Sequence, residues 1–415
     1  MGQNLIKLIF LIILFSCTKE QEKSIQSLLK ENYANLELNN FEHKTKVIEN
    51  LSRLNNLQEV ILELNQLNDG HVFVVSKNSK AFNYFTDLEF IPGTNIIASC
   101  QESCRPSLLG KYKIVKLDNL SLEEFYLQNS KYVFASTEWG RRHRTFQLLQ
   151  ESRDKIQHKI EVVDIKGKKS QVVLQNLAEK IANKKCVFGK RLDEKAFYLN
   201  INSFWCDLNG RLTEEKNILQ RFSDEWNEQI KKINVQDRIV LDLRENNGGG
   251  DHEVMYVLNT FFDKKIHMYR YQYLKSNITS KREMFKNLFV RNDSKWGKVE
   301  DDYSSDKFTP IKKLVKNEIR VLISPGCFSS CEGIVGMLKI NQRAIVYGLK
   351  THGGAGDPKF FKVKNSDWLI NIPTLKVWLA NGDQIEGIGV SPNIEMRDQF
   401  KLSSDEVLEQ VSLFK

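Results

Sequence analysis

The sequence has no hydrophobic run long enough to cross a bilayer, which takes about 20 apolar residues. Its one strongly apolar stretch, Leu8 to Phe15, follows Lys7 and has the length of a secretory-signal core. No RNA- or DNA-binding motif and no basic–aromatic repeat accompanies the net charge of +9, whose densest cluster is Arg141-Arg142-His143-Arg144. A solvated basic face accounts for that charge, and nucleic acid is not an expected partner. There is no internal repeat. No histidine stands at ligand spacing beside Cys100 and Cys104, or beside Cys327 and Cys331. Disulfides are the favoured reading for an exported chain, and zinc is the alternative for these two pairs. No metal or cofactor is expected.

What remains fits an exported globular protein. At 41% hydrophobic and 27% charged residues over 415 positions, the chain can build two or three domains with ordinary cores. Leu14-Phe15-Ser16-Cys17 resembles a bacterial lipobox, in which the cysteine becomes the lipidated N-terminus. Residues 1–16 are then a signal peptide, and Cys17 anchors the protein in the bacterial cell envelope. Thr18 rather than Asp after it points to the outer membrane, facing the periplasm or the surface. An ordinary signal peptide with a chance cysteine is the alternative.

Between Phe41 and Leu67, apolar residues recur at helical spacing, and Asn68-Asp69-Gly70 signals a turn. Residues 17–70 are therefore read as a tether and an N-terminal helical bundle. Residues 71–190 read as β-rich, with a strand at Tyr112–Leu117 and a hairpin joining Ile160–Ile165 to Gln171–Leu174 through Lys166-Gly167. Residues 191–415 alternate strands with helices. Arg238–Leu243, Ile319–Ile323 and Ala344–Gly348 are apolar runs of the buried-strand kind, which implies a mainly parallel sheet with its site beyond the strands' carboxyl ends.

Three segments follow those strands. Asp242-Leu243-Arg244-Glu245-Asn246-Asn247-Gly248-Gly249 offers glycine amides to an anion or oxyanion. Ser329-Ser330-Cys331-Glu332 stands where a helix begins, and taken alone either serine reads as an ordinary helix cap. Thr351-His352-Gly353-Gly354-Ala355-Gly356 is a second glycine turn, and Gly382 to Pro392 ends the series. In this order the segments resemble those of the tail-specific (C-terminal processing) peptidase superfamily.

That resemblance implies an α+β fold with a crotonase-like α/β catalytic core, and Ser329 as nucleophile. Ser330 is the alternative. Backbone amides of Ser330 and of Gly248 or Gly249 would hold the oxyanion. Where the Ser-Lys enzymes of the superfamily carry their base, this chain has Gly354. The resemblance therefore shifts to the tricorn-core-like branch, whose histidine lies upstream, here Asp69-Gly70-His71. His71 becomes the base, Glu386 its orienting carboxylate, and His352 the competitor. An imidazole at its usual value of about 6.5 would make activity rise between about pH 6 and 7.5. Leu109 to Asn119 is similar to part of a PDZ-like module, which binds extended peptides by strand addition. The expected function is a metal-free serine endopeptidase acting on peptide or protein substrates. A catalytically inactive peptide-binding relative and an esterase are the rivals.

Overall fold

A computed structural model of the chain describes residues 23–78, 84–86, 88–90, 96–101, 103–152, 156–178, 185–206, 215–264, 266–274, 296, 299–303, 314–396 and 411. Cys17 and residues 1–16, read from the sequence as a signal peptide, lie outside the described residues. So do most residues of the polar stretch 291–308.

Three short helices open the described chain: α1 (Ile25–Asn32), α2 (Phe41–Asn50) and α3 (Leu57–Asn65). Ser24 caps α1 by accepting from the Ser27 amide, and Asn56 caps α3 by accepting from Gln58. Leu28, Leu29, Val47, Ile48, Val60 and Leu64 form their apolar stripes, and all are buried. The β-rich region read from the sequence runs over residues 71–190, and its first strand finds its partner outside that range. β1 (Phe73–Ser76) pairs antiparallel with the strand Trp368–Pro373, which pairs in turn with Pro358–Lys362. Val72 and Val74 join Ile370 and Ile372 under the helices in one apolar cluster, so burial ties this strand to the far end of the chain.

The next region is an antiparallel sheet in the order Glu89–Phe90, Ile96–Cys100, Leu108–Leu117, Gln157–Asp164, Lys169–Gln175, Cys104–Arg105, with Leu120–Ser121 on its third strand. The predicted hairpin is there, with Ile160 and Val162 facing inward beside Val172 and Leu174. α4 (Leu122–Asn129) and α5 (Glu138–Gln147) contribute Phe125 and Phe146 to the same cluster.

The C-terminal half is built on a sheet of β2 (Val187–Asp193), β3 (Ala196–Ile201), β4 (Arg238–Asp242), β5 (Ile319–Ile323), β6 (Ala344–Gly348) and a short edge, Ile394–Glu395. β3 to β6 are parallel. α6 (Glu215–Ile230), α7 (Asp251–Phe261) and α8 (Ser330–Ile340) pack on it. Ile239, Val240 and Leu241 have no solvent exposure, as a parallel strand covered on both faces requires. The fold is mixed α/β, and the turns after β4, β5 and β6 converge at one end of the sheet.

Candidate active site

The turn from β5 into α8 is pinned from several sides. The Ser324 hydroxyl donates to Arg244 O at 2.5 Å and accepts from Gly326 N at 3.0 Å. Phe328 N donates to Asn246 O at 3.0 Å, and a disulfide joins Cys327 to Cys331 around Ser329. Under these restraints Ser329 adopts φ 60°, ψ −125°, a conformation that L residues seldom occupy and that projects its side chain from the strand-to-helix turn. The Ser330 hydroxyl is engaged elsewhere, donating to Gly249 O at 2.7 Å.

His71 reaches Ser329 from 258 residues away in sequence: its Nε2 lies 3.2 Å from the serine Oγ. The backbone around the histidine is fixed on both sides. Asp69 Oδ1 accepts from His71 N at 2.9 Å, Ser136 Oγ accepts from Gly70 N at 2.8 Å, and Asn371 Nδ2 donates to His71 O at 2.9 Å. Asp69 is itself held by Tyr33 OH and Asn35 Nδ2, at 3.1 and 3.0 Å. The imidazole stacks on Phe328 with ring centroids 4.4 Å apart. It is only 4% exposed, and burial pushes its pKa from 6.5 to about 4, against the pull of Asp69 and with a push from Arg144. The sequence expectation of an imidazole near its usual value is corrected by this burial.

Behind the ring, His71 Nδ1 and Glu386 Oε1 are both buried without a hydrogen-bond partner. One ligating atom each from Asp69, His71 and Glu386 lies within 4.8 Å of the others. Glu386 Oε2 accepts from Ala355 N at 2.8 Å. Burial, and then the Asp69 charge, raise the Glu386 carboxyl well above the usual range, while the Ala355 amide, Ser136 and Lys44 oppose that rise.

A second buried carboxylate, Glu332, ties the nucleophile to the glycine turn. It accepts from Thr351 Oγ1 at 2.6 Å, from Gly353 N and Gly354 N at 2.7 Å each, and from Ser329 N at 3.2 Å. Burial raises it to about 7 in spite of those four donors. His352 makes no hydrogen bond to the serine. Its Nδ1 lies 3.2 Å from Pro325 O, its ring meets the edge of Phe328, and burial holds it well below its usual range.

Across from Ser329, Gly248 and Gly249 take φ values of 88° and 142°. A Cβ on Gly248 would stand 2.9 Å from Ser329 Cβ, so this backbone lies directly against the nucleophile. Gly248 N donates to Asn246 Oδ1 at 2.8 Å. Gly248 O and Gly250 N bond with Phe204, which turns the N–H and C=O of Gly249 to the opposite side, where Ser330 Oγ meets that carbonyl. The N–H of Ser330 opens α8 and has no intrahelical acceptor.

Residues 195–396 match peptidase family S41. The chain carries an S41 peptidase domain. A probable CtpA-like serine protease of Staphylococcus aureus (strain N315) is 27% identical over 221 residues, 53% of this chain and 37% of the relative. The chloroplastic carboxyl-terminal-processing peptidase 2 of Arabidopsis thaliana is 27% identical over 161 residues, 39% of this chain and 26% of the relative. The chain thus spans well under half the length of these curated relatives. Among solved structures, mature CPAF complexed with lactacystin has a TM-score of 0.66 at 13% identity, covering 98% of each chain. A protein of Bacteroides fragilis NCTC 9343 named a putative S41 protease has a TM-score of 0.54 at 12% identity, covering 96% of this chain and 98% of that one. These two likenesses show the fold.

The S41 match contains Ser329, Ser330, Glu386, Gly248 and Gly249 but not His71, which the N-terminal helices bring to the domain from outside it. Sequence reasoning missed Phe328, Ser136, Lys44 and Arg144. Phe328 had the clearest available signal, as a large apolar residue beside the serine. Ser136 and Lys44 lie on segments that read as ordinary loop and helix. Arg144 belongs to the basic cluster read as a solvated face, and the structure corrects that reading: Arg141 is buried, and Arg144 packs on the Phe328 ring and donates to Phe134 O at 2.6 Å. The zinc alternative for the two CxxxC pairs is corrected: both are disulfides, as is Cys186 with Cys206, and a disulfide sulfur is no thiolate ligand. Glu225, beside Cys186 and Cys206, spends an oxygen on the Cys186 and Val187 amides. The Asp69–His71–Glu386 group suits a metal poorly, because Asp69 already accepts three hydrogen bonds and Lys44 brings its cation into the same interior.

Proposed function

We propose that this chain is a serine endopeptidase of the bacterial cell envelope, working by Ser-His-Glu catalysis. The observation that carries the reading is the 3.2 Å contact between His71 Nε2 and the Oγ of a serine held at positive φ. As Ser329 Oγ attacks a peptide carbonyl, its proton passes to Nε2, which requires the imidazole's own proton to sit on Nδ1. Glu386 Oε1 is the unpaired acceptor at hand for that Nδ1–H, and its charge stabilises the imidazolium as it forms. The carbonyl oxygen, now anionic, takes hydrogen bonds from Ser330 N and Gly249 N, because Gly248 N is already committed to Asn246. His71 then returns the proton to the leaving amine, and water hydrolyses the acyl-enzyme by the same relay.

The names of the relatives, a serine protease and a carboxyl-terminal-processing peptidase, agree with this chemistry. The reading also takes the α/β half as crotonase-like and the antiparallel sheet as a PDZ-like region that adds a substrate strand. Three disulfides suit an oxidising compartment, and lipidation at Cys17 would hold the enzyme at the envelope. Mass spectrometry of the mature N-terminus tests the anchor, since any other first residue removes it. Casein hydrolysis tests the nucleophile: Ser329→Ala should abolish turnover and Ser330→Ala should not. The reverse result would move the nucleophile by one residue, and turnover of p-nitrophenyl esters without peptides would favour an esterase.

A further inference from the structure

Lys44, on α2, is 5% exposed, yet among the described residues no carboxylate oxygen lies within an ion-pair distance of its ammonium. Its Nζ donates to Asn35 O at 2.9 Å and stands 5.3 Å from the centroid of the Tyr33 ring. A buried cation with so few partners is costly unless nearby negative charge compensates it. Two hydrogen-bonded paths lead from it to such charge. Asn35 Nδ2 donates to Asp69 Oδ2 at 3.0 Å, and also to Ala355 O at 3.3 Å, whose own N–H holds Glu386 Oε2.

We propose that Lys44 is a positioning residue for catalysis: its buried ammonium is the counter-cation that keeps Glu386 a carboxylate facing His71. The inference rests on the peptidase reading above. Around Glu386 and the Nδ1 side of His71 stand Tyr33, Asp69 and Lys44, with Arg144 and His352 against the Phe328 ring and Glu332 on the Gly353 and Gly354 amides. With His71 neutral and Tyr33 protonated, Asp69, Glu386 and Lys44 sum to one negative charge, which the imidazolium neutralises when Ser329 gives up its proton. Without the ammonium, two carboxylates would share a desolvated pocket, and one must take a proton. Asp69 has three donors, so Glu386 is the one that would yield.

The test is the pH dependence of kcat for peptide hydrolysis by the intact chain. Lys44→Met should move the acid limb up by about 1 to 2 pH units, lose activity at pH 7 and regain it at higher pH, with KM little changed. Asp69→Asn should move the limb the other way, and the double variant should bring it back toward the wild type. Lys44→Arg, which keeps the charge, should hold the limb in place and serves if Lys44→Met does not fold. An unmoved limb in Lys44→Met, or an upward shift in Asp69→Asn, overturns the proposal. Ser329→Ala run in parallel separates the two failures. Hydrolysis surviving that change sinks the peptidase reading, whereas Ser329-dependent hydrolysis with no shift sinks only the role of Lys44.

Discussion

Replacing Gly354 by alanine should disable the base without touching it. The backbone tolerates the change, because Gly354 does not lie in the left-handed region. Space does not. A Cβ there would fall 2.7 Å from Phe328 Cζ and 2.9 Å from Cδ2, with Cε2 closer still. The ring has nowhere to retreat: His71 stacks on it at 4.4 Å, the Arg144 guanidinium lies 4.3 Å from its centroid, and His352 meets it at 4.7 Å. Overpacking of this kind costs about 1–3 kcal/mol. A shift of about 1 Å in His71, which rides on the ring, would lower kcat roughly 100-fold. Urea unfolding and peptide turnover measure the two effects separately. Adding Phe328→Ala to Gly354→Ala should recover part of the lost stability, with a coupling of about 0.5–3 kcal/mol. An alanine variant with unchanged stability and turnover would refute the reasoning.

Two further outcomes follow from the buried ionisable groups. His71 is held near 4 in the folded protein and near 6.5 when unfolded, so between those values the unfolded chain binds the extra proton. Stability therefore rises with pH across that window, by up to about 3 kcal/mol from this group. His71→Ala should flatten the slope of urea-derived stability between pH 4 and 6.5 relative to the wild type, and an unchanged slope would show that the imidazole is not buried neutral. Glu332→Gln should cost about 1–3 kcal/mol and most of the activity, because an amide nitrogen would face N–H groups that the carboxylate now accepts from. Retained turnover in that variant would mean Glu332 does not hold the nucleophile in place.

Much of this site was legible in the sequence because glycine and strand signals are local. The run Ile239-Val240-Leu241 announces a covered strand, and the residues after it can only be a turn near the sheet's end. Ser329, Glu332 and Gly248 were placed by their order along the chain. His71 came from the resemblance to the tricorn-core-like branch, whose histidine follows a helical stripe and a short turn. What could not be read depends on distant packing. β1 completes its sheet with a strand some 300 residues later, so that pairing had no local mark. Lys44 sits among polar neighbours on an amphipathic helix and reads as solvent-facing until Asn35, Tyr33 and Asp69 are seen around it. The acidity of His71 is set by desolvation, which composition and spacing do not carry.

The most direct test of the Ser329–His71 assignment is covalent labelling with a fluorophosphonate, read by peptide mapping. The account predicts a single adduct on Ser329 in the wild type, labelling slowed by orders of magnitude in His71→Ala, and little change in His352→Ala. An adduct on Ser330, or labelling that depends on His352 and not on His71, would contradict it.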